Sequence, residues 1–469
     1  MSIRSAVSVK LLLAIIVTGG PLLADTWIPP QIIPGNSFPV FSSGDVVSSV
    51  DSSTGEFVVT WNGEPIVGNF PPILTDNNRG AWSAPTAISS QNVYGDNVFS
   101  AVNSATHTFV ITWMDEHTQR PTYVTHVEGN TSTPSYIPNS AAGGNDVFVS
   151  YNPAFGFMAS WQDHASSFPY YAIYNGETWS SPSVVPSAPA AVNDIFSAAN
   201  PKIGATMLTW RDIDQAGTPW FAIYDASGWG VADRIFEAPA SIDPFPCANS
   251  VTGDFLVTWQ DYASGTPYYA VYNGGEWSGL EQIPNSSSAN GMIYSSVNSC
   301  TGNFLVTWTD FVSGNPYYVI YNASTGWTTP QQIPNSNLTS IDTDAFSSYD
   351  SQLNAFIVSW QTADNTPYYA LLSDPSCVPD SPNTISGKQK KNNFGLMKEY
   401  FNRITWQVNS TQDVLGYKLY RDGILIATLD ANIYSYDDHN RTRGQSYTYA
   451  LTSFSLDGES FPVTVSVSP

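Results

Sequence analysis

The sequence predicts an all-β protein in which one four-stranded unit recurs seven times and a smaller β module follows. Three observations lead there. A Thr-Trp or Ser-Trp pair returns at Trp61, Trp113, Trp161, Trp210, Trp259, Trp308 and Trp360, with gaps of 52, 48, 49, 49, 49 and 52 residues. Fixed periods of this length mark repeat architectures. Aromatic residues make up 14% of the chain and charged residues 12%, the reverse of a disordered polymer. The 33 Gly and 33 Pro, beside 26 Tyr, 23 Phe and 15 Trp, suit strands joined by many turns.

The chain opens on a targeting segment. Arg4 and Lys10 precede the apolar run Leu11–Val17, and Ala24 offers a small residue before Asp25. This is the pattern of a signal peptide over residues 1–24, and the run is too short to span a bilayer. No later stretch reaches 18 apolar residues, so no transmembrane segment is expected in the mature chain. The expected location is secreted, extracellular or periplasmic. Cys247, Cys300 and Cys377 permit at most one disulfide and match no zinc spacing.

Each unit reads as four short strands. Strand a, such as Phe196–Asn200, ends at an Asp or Asn that starts a turn: Asp51, Asn103, Asn152, Asn200, Asn249, Asn298 and Asp350. A short polar side chain there bonds its own backbone. Strand b is the Phe-Leu-Val-Thr-Trp type, strand c the Tyr-Tyr-Ala-Val-Tyr type, and strand d carries Trp-x-x-Pro-x-x-Ile-Pro, as in Trp327–Pro334. Strands b and c are apolar on both faces, so each sheet must be covered on both sides. A ring of sheets packed face to face satisfies that, and four strands per 40–50 residues is the signature of a β-propeller.

The ends of the array complete the ring. The seventh unit reaches strand c at Tyr368–Leu372 and lacks a following Trp strand, whereas Trp27–Pro34 repeats the Trp, Pro, Ile, Pro spacing of Trp327–Pro334. The N-terminal segment therefore supplies the outer strand of the last unit, which removes an open edge. Residues 25–375 thus resemble closed seven-bladed β-propellers as a class. The WD40, kelch and sialidase repeat motifs are not met.

A linker is expected over residues 376–393, with Pro379, Pro382, Gly387 and the run Lys388–Lys391. Charge changes there. Residues 25–387 hold 5 basic and 31 acidic side chains, net −26, and residues 388–469 hold 9 and 8, net +1. Within residues 394–469, Trp406 and the run Tyr449-x-Leu451-x-Ser453-x-Ser455-x-x-Gly458-x-Ser460 resemble a fibronectin type III module. The resemblance implies a β-sandwich with Trp406 in the core of its second strand and Tyr449 as the corner tyrosine. It implies an adhesive or spacer role.

The chemistry is sparse. A formal charge of −23 excludes nucleic acid as a partner, since phosphate binders need basic stripes. In a propeller the b–c and d–a loops share one face. Asp115, Asp163, Asp212, Asp261 and Asp310 follow the strand-b Trp there, and Asp45, Asp96, Asp146, Asp194, Asp243 and Asp344 open strand a. These carboxylates could hold Ca²⁺ or meet a cationic partner, or each could cap its own turn. Tyr170, Tyr268 and Tyr317, in the Tyr pairs of strand c, are candidates for stacking on sugar rings, or for packing between sheets. No catalytic residue is assigned. No His-Glu-x-x-His or Gly-x-Ser-x-Gly occurs, and His117 and His164, near the Trp-x-Asp loops of neighbouring units, are the one His pair worth naming. The expectation is a binding protein that takes a protein or glycan ligand on an acidic propeller face. The alternative is a propeller-type polysaccharide hydrolase or lyase.

Overall fold

The computed structural model describes residues 26–468 except short stretches at 35–38, 41–43, 64–69, 79–80, 91, 145, 214–216, 237–240, 337–343, 375–380, 396, 408–413, 456–458 and 461. The expected signal peptide and Cys377 lie outside the described residues. Among the described residues every regular element is a strand, and the fold is a β-propeller.

The fifth sheet shows the unit: Ser241–Ala248, Phe255–Asp261, Pro267–Asn273, then Glu276–Trp277 and Glu281–Gln282. Neighbouring strands are antiparallel. Strand d is split into two short pieces in most sheets. In the sixth, Pro330 separates Gly326–Trp327 from Gln331–Gln332, and a proline has no N–H to give the ladder. Seven such sheets occur among the described residues.

Alternation along strand b explains the Thr/Ser-Trp pair. Adjacent residues point to opposite faces of a sheet. Trp259 packs back against Met207 and Ile235 of the preceding sheet. Thr258, on the other face, donates its hydroxyl to the Ile293 carbonyl of the next sheet at 2.8 Å. The same bond recurs from Thr60 to Val98, Thr112 to Val147, Ser160 to Ile195, Thr209 to Pro244 and Thr307 to Ala345. Ser359 makes it to Val46, joining the last sheet to the first. One residue pair thus supplies a large apolar side chain to one neighbour and a directional bond to the other.

The expected outer strand of the last sheet is present. Thr26–Ile32 pairs antiparallel with Pro367–Ser373, with Trp27 opposite Leu372 and Ile32 opposite Tyr368. The register slips between Ile28 and Gln31, where Pro29 and Pro30 cannot donate. Trp27 meets Tyr318 of the sixth sheet edge-on at 4.9 Å. Equivalent contacts join Tyr123 to Trp179, Tyr171 to Trp229, Phe221 to Trp277, Tyr269 to Trp327 and Tyr369 to Trp82.

The inner strands fill the axis. Phe99, Phe148, Phe196, Phe245, Tyr294 and Phe346 occupy one equivalent position of strand a and are buried together with Val47. Successive rings lie 4.7 to 5.4 Å apart, mostly tilted or edge-on, the arrangement aromatic quadrupoles favour.

The C-terminal residues form two further sheets. Thr384–Phe394, Met397–Gln407 and Ser435–Asp438 make one. Gly416–Arg421, Ile424–Asp430, Tyr447–Phe454 and Val463–Val467 make the other. Ile404 and Trp406 of the first share a core with Tyr417, Leu419, Tyr449 and Leu451 of the second. The boundary differs from the expected linker over 376–393. Residues 384–394 pair along their whole length with residues 397–407. Beyond Ile385 their inward positions are Gly387 and Gln389, so the alternation is faint in sequence, while Lys388 and Lys390 point outward from an edge strand. The corner tyrosine differs too. The Tyr449 hydroxyl donates to Asp438 Oδ2 at 2.6 Å and accepts from Asn402, because Arg421 and Arg441 hold the Asp438 carboxylate beside it. The hydroxyl nearest an upstream backbone N–H is that of Tyr447, which accepts from Thr442 at 3.2 Å.

Candidate ligand-binding face

The Trp-x-Asp turns are built alike. Asp115 accepts the backbone N–H and hydroxyl of Thr118, both at 2.7 Å. Asp163 does the same with Ser166, Asp261 with Ser264 and Asp310 with Ser313. All four carboxylates, and Asp212, are buried. Burial alone would raise Asp310, but the Ser287 and Ser313 hydroxyls and the turn N–H groups outweigh it and hold that carboxyl below its usual range. One oxygen of each of Asp115, Asp163, Asp261 and Asp310 is engaged by the turn it closes, while Asp115 Oδ2 is buried without a hydrogen-bond partner. Four of the five expected rim acids thus cap their own turns through one carboxylate oxygen each.

The strand-a carboxylates form an inner ring. Counting two residues back from each axial side chain places Asp45, Asn97, Asp146, Asp194, Asp243, Met292 and Asp344 at one position. The second unit thus contributes Asn97 where Asp96 was expected; the side chain of Asp96 lies outside the described residues. Asp45 N–H donates to Asn97 Oδ1, Asn97 N–H to Asp146 Oδ1 and Asp344 N–H to Asp45 Oδ1. Each links one sheet to the next. The sixth unit breaks the pattern. It has Met292 for the acid, and its axial ring is Tyr294, whose hydroxyl donates to Asp45 Oδ2 at 3.0 Å. Burial, and then the Asp45, Asp344 and Asp194 charges, push the Tyr294 phenol well above its usual range. Asp243 sits 3.5 Å from Arg211; burial raises its carboxyl and the guanidinium opposes that. Among the described residues no group of three or more His, Cys, Asp or Glu is placed to hold a metal ion. His117 and His164 are both exposed on their loops.

The Tyr pairs divide their work as strand alternation requires. The second ring of each pair packs on the next sheet's strand-d Trp, as given above. The first lies over the strand-b Trp of its own sheet. Tyr170 stacks on Trp161 at 6.4 Å, Tyr268 on Trp259 at 6.3 Å and Tyr317 on Trp308 at 6.1 Å, with interplanar angles of 30°, 16° and 28°. The Trp is fully buried and the Tyr half-buried in each case. Across the ladder these Tyr face Val184, Gln282 and Gln332. The Gln282 amide donates to the Tyr268 hydroxyl at 2.9 Å.

One feature of this face was missed in sequence. The residue after the turn Asp is Ile213, Tyr262 and Phe311 in the fourth to sixth units, and Val312 follows. All four are exposed, Val312 to 87%. The second and third units carry Glu116 and His164 there. Aligning the units on their Trp exposes this run, which the period itself conceals.

Comparison with known proteins gives no family. No family profile matches the chain, and no curated protein does. Among solved structures, a fucose-specific lectin from Aleuria aurantia aligns at 13% identity over 64% of this chain and 98% of its own, with a TM-score of 0.44. AofleA from Arthrobotrys oligospora aligns at 10% over 74% and 89%, TM-score 0.40. Hydrazine synthase from Kuenenia stuttgartiensis aligns at 10% over 72% and 98%, TM-score 0.49. The propeller assignment rests on this chain's own sheets and on the bonds that join each to the next.

Proposed function

We propose that the chain is an exported glycan-binding protein, a closed seven-bladed propeller with repeated shallow sites, followed by a fibronectin type III-like spacer or adhesive module. The observation that carries the reading is the half-buried Tyr of strand c. Its ring is fixed against a buried Trp, and in the fifth unit its hydroxyl is bonded to a Gln amide. Aromatic rings beside amides suit sugars, which offer apolar C–H faces and a rim of hydroxyls. Recurrence in neighbouring units suits multivalent binding, where weak single sites add up through effective concentration. The capped turn carboxylates favour a scaffold role for the acids, so the ligand contacts move from the acidic rim to the Tyr sites. Export is supported by the n-region, apolar run and small residue of positions 1–24.

A glycan array probed with the mature chain tests this, alongside Tyr268→Ala and Tyr317→Ala. Bound glycans should lose affinity about tenfold per site, since ~1.4 kcal/mol is a tenfold change. Binding untouched by both changes, or no glycan bound, would overturn the reading. Release of shortened sugars would point to the hydrolase or lyase instead.

A further inference from the structure

On the face opposite the Trp-x-Asp turns, the first turn residue of the third to sixth units ties its sheet to the next. The Asn152 amide donates to the Ala205 carbonyl at 2.9 Å. Asn200 reaches the Asn249 and Asp254 carbonyls, and Asn249 the Gly302 carbonyl. Asn298 donates to Asp374 Oδ2 at 2.7 Å. A donor is required there because the acceptors are oxygens.

The pattern fails where the ring closes. The seventh unit has Asp350 and the first has Asp51, both fully buried. Asp350 Oδ1 accepts the N–H groups of Gln352 and Leu353. Its Oδ2 is buried without a hydrogen-bond partner. By the spacing of the other junctions, the carbonyls of Asp51, Gly55 and Glu56 hold the equivalent places in the first unit. Gly55 is close: a Cβ there would stand 3.6 Å from Asp350 Oδ1. An ionised carboxylate cannot donate to a carbonyl, and a protonated one can.

We propose that this junction is a proton-dependent latch, in which Asp350 holds the first sheet as a carboxylic acid and releases it as a carboxylate. The charged surroundings are few. Asp51 faces Asp350 across the junction, and its carboxylate takes bonds from His107 Nδ1 at 2.8 Å and from Ser53. Glu56 lies beyond it, near Asp76, His107 and Glu128. On the Asp350 side the turn is Ser351, Gln352, Leu353 and Asn354, and Asp374 is engaged by Asn298. Burial first, and then the Asp51 charge, raise the Asp350 carboxyl above its usual range. A raised folded-state carboxyl stabilises the fold at low pH, and that contribution is lost as pH rises through the folded value. Asp51 behaves oppositely. Burial would raise it, but Ser53 and His107 hold it lower, so its contribution fails only at more acid pH. Ser351 and Gln352 still bond the Ser52 carbonyl, so the latch loosens the junction without severing it.

The test compares the full-length chain with Asp350→Asn, which supplies the amide used at the other junctions and changes no volume. Hydrogen exchange is followed for the amides of 47–51 and 355–361 between about pH 5 and about pH 8, corrected for intrinsic base catalysis. The natural chain should lose about tenfold in protection per unit of pH above the folded value, and Asp350→Asn should show no such loss and melt higher at neutral pH. Asp51→Asn, which removes the facing charge, should move the loss to lower pH. Identical profiles for the natural chain and Asp350→Asn would overturn the proposal, as would protection that rises with pH.

Discussion

The Ser359 hydroxyl donates to the Val46 carbonyl at 2.6 Å, across 313 residues of sequence. It is the same bond that Thr258 makes to Ile293 across 35. Locally the two are alike, and only the chain between them differs. Ser48 and Ser348 meet at the same junction, 2.7 Å apart. The closing junction is thus held by the repeat's own chemistry.

Removing that hydroxyl tests its weight. Ser359→Ala leaves the Val46 carbonyl buried without its donor, which costs about 1–3 kcal/mol. Thr258→Val, of matched shape, should cost a similar amount. Urea denaturation checks both. A loss confined to Thr258→Val would mean that the ring is not sealed through Ser359.

Deleting residues 25–35 removes the outer strand of the last sheet and its Trp27–Tyr318 contact. The melting temperature should fall sharply. Trp27→Ala alone should cost about 3 kcal/mol or less, because the indole is only partly buried. An unchanged melting temperature after the deletion would sink the strand assignment.

The turn acids should behave as caps. Asp261→Ala should destabilise by about 1 kcal/mol, and Asp261→Asn by less, since the amide oxygen still accepts from Ser264. Ca²⁺, Mg²⁺ and NaCl at matched ionic strength should shift the melting temperature equally, through screening alone. A much larger shift with Ca²⁺ would restore a specific cation site.

In the C-terminal unit, Glu459 takes bonds from Lys418 at 2.6 Å, Tyr420 and Thr452. Burial would raise this carboxyl, but those bonds outweigh it and lower it. A lowered carboxyl stabilises the fold above its unfolded value and stops doing so as pH falls through the folded one. Acid should therefore weaken this unit below about pH 4, near the ordinary Glu range. Glu459→Gln should be less stable at neutral pH and flatter with acid. A natural chain with no acid dependence in this unit's transition would contradict that.

The period of the Trp was legible because one bulky residue per unit must fill the same gap between sheets. The Trp27 strand was legible for the same reason: its Trp, Pro and Ile fill the places that Trp327, Pro330 and Ile333 fill elsewhere. Spatial ownership was not legible. Nothing in Asp163 or Asp261 says whether a carboxylate faces a ligand or the hydroxyl three residues on. Asn97 was not legible because its neighbour Asp96 carries the charge that most other units place at that position. The strand at 384–394 was hidden because its inward residues, among them Gly387 and Gln389, carry little hydrophobic signal.

Six aromatic rings and Val47 fill the propeller's axis. Among the described residues these buried side chains form one packed plug, with the Trp-x-Asp loops at one end and the turns of Asp51 and Asp350 at the other. A change in the tilt of any one sheet would be felt at both ends of that plug, because close-packed interiors transmit strain.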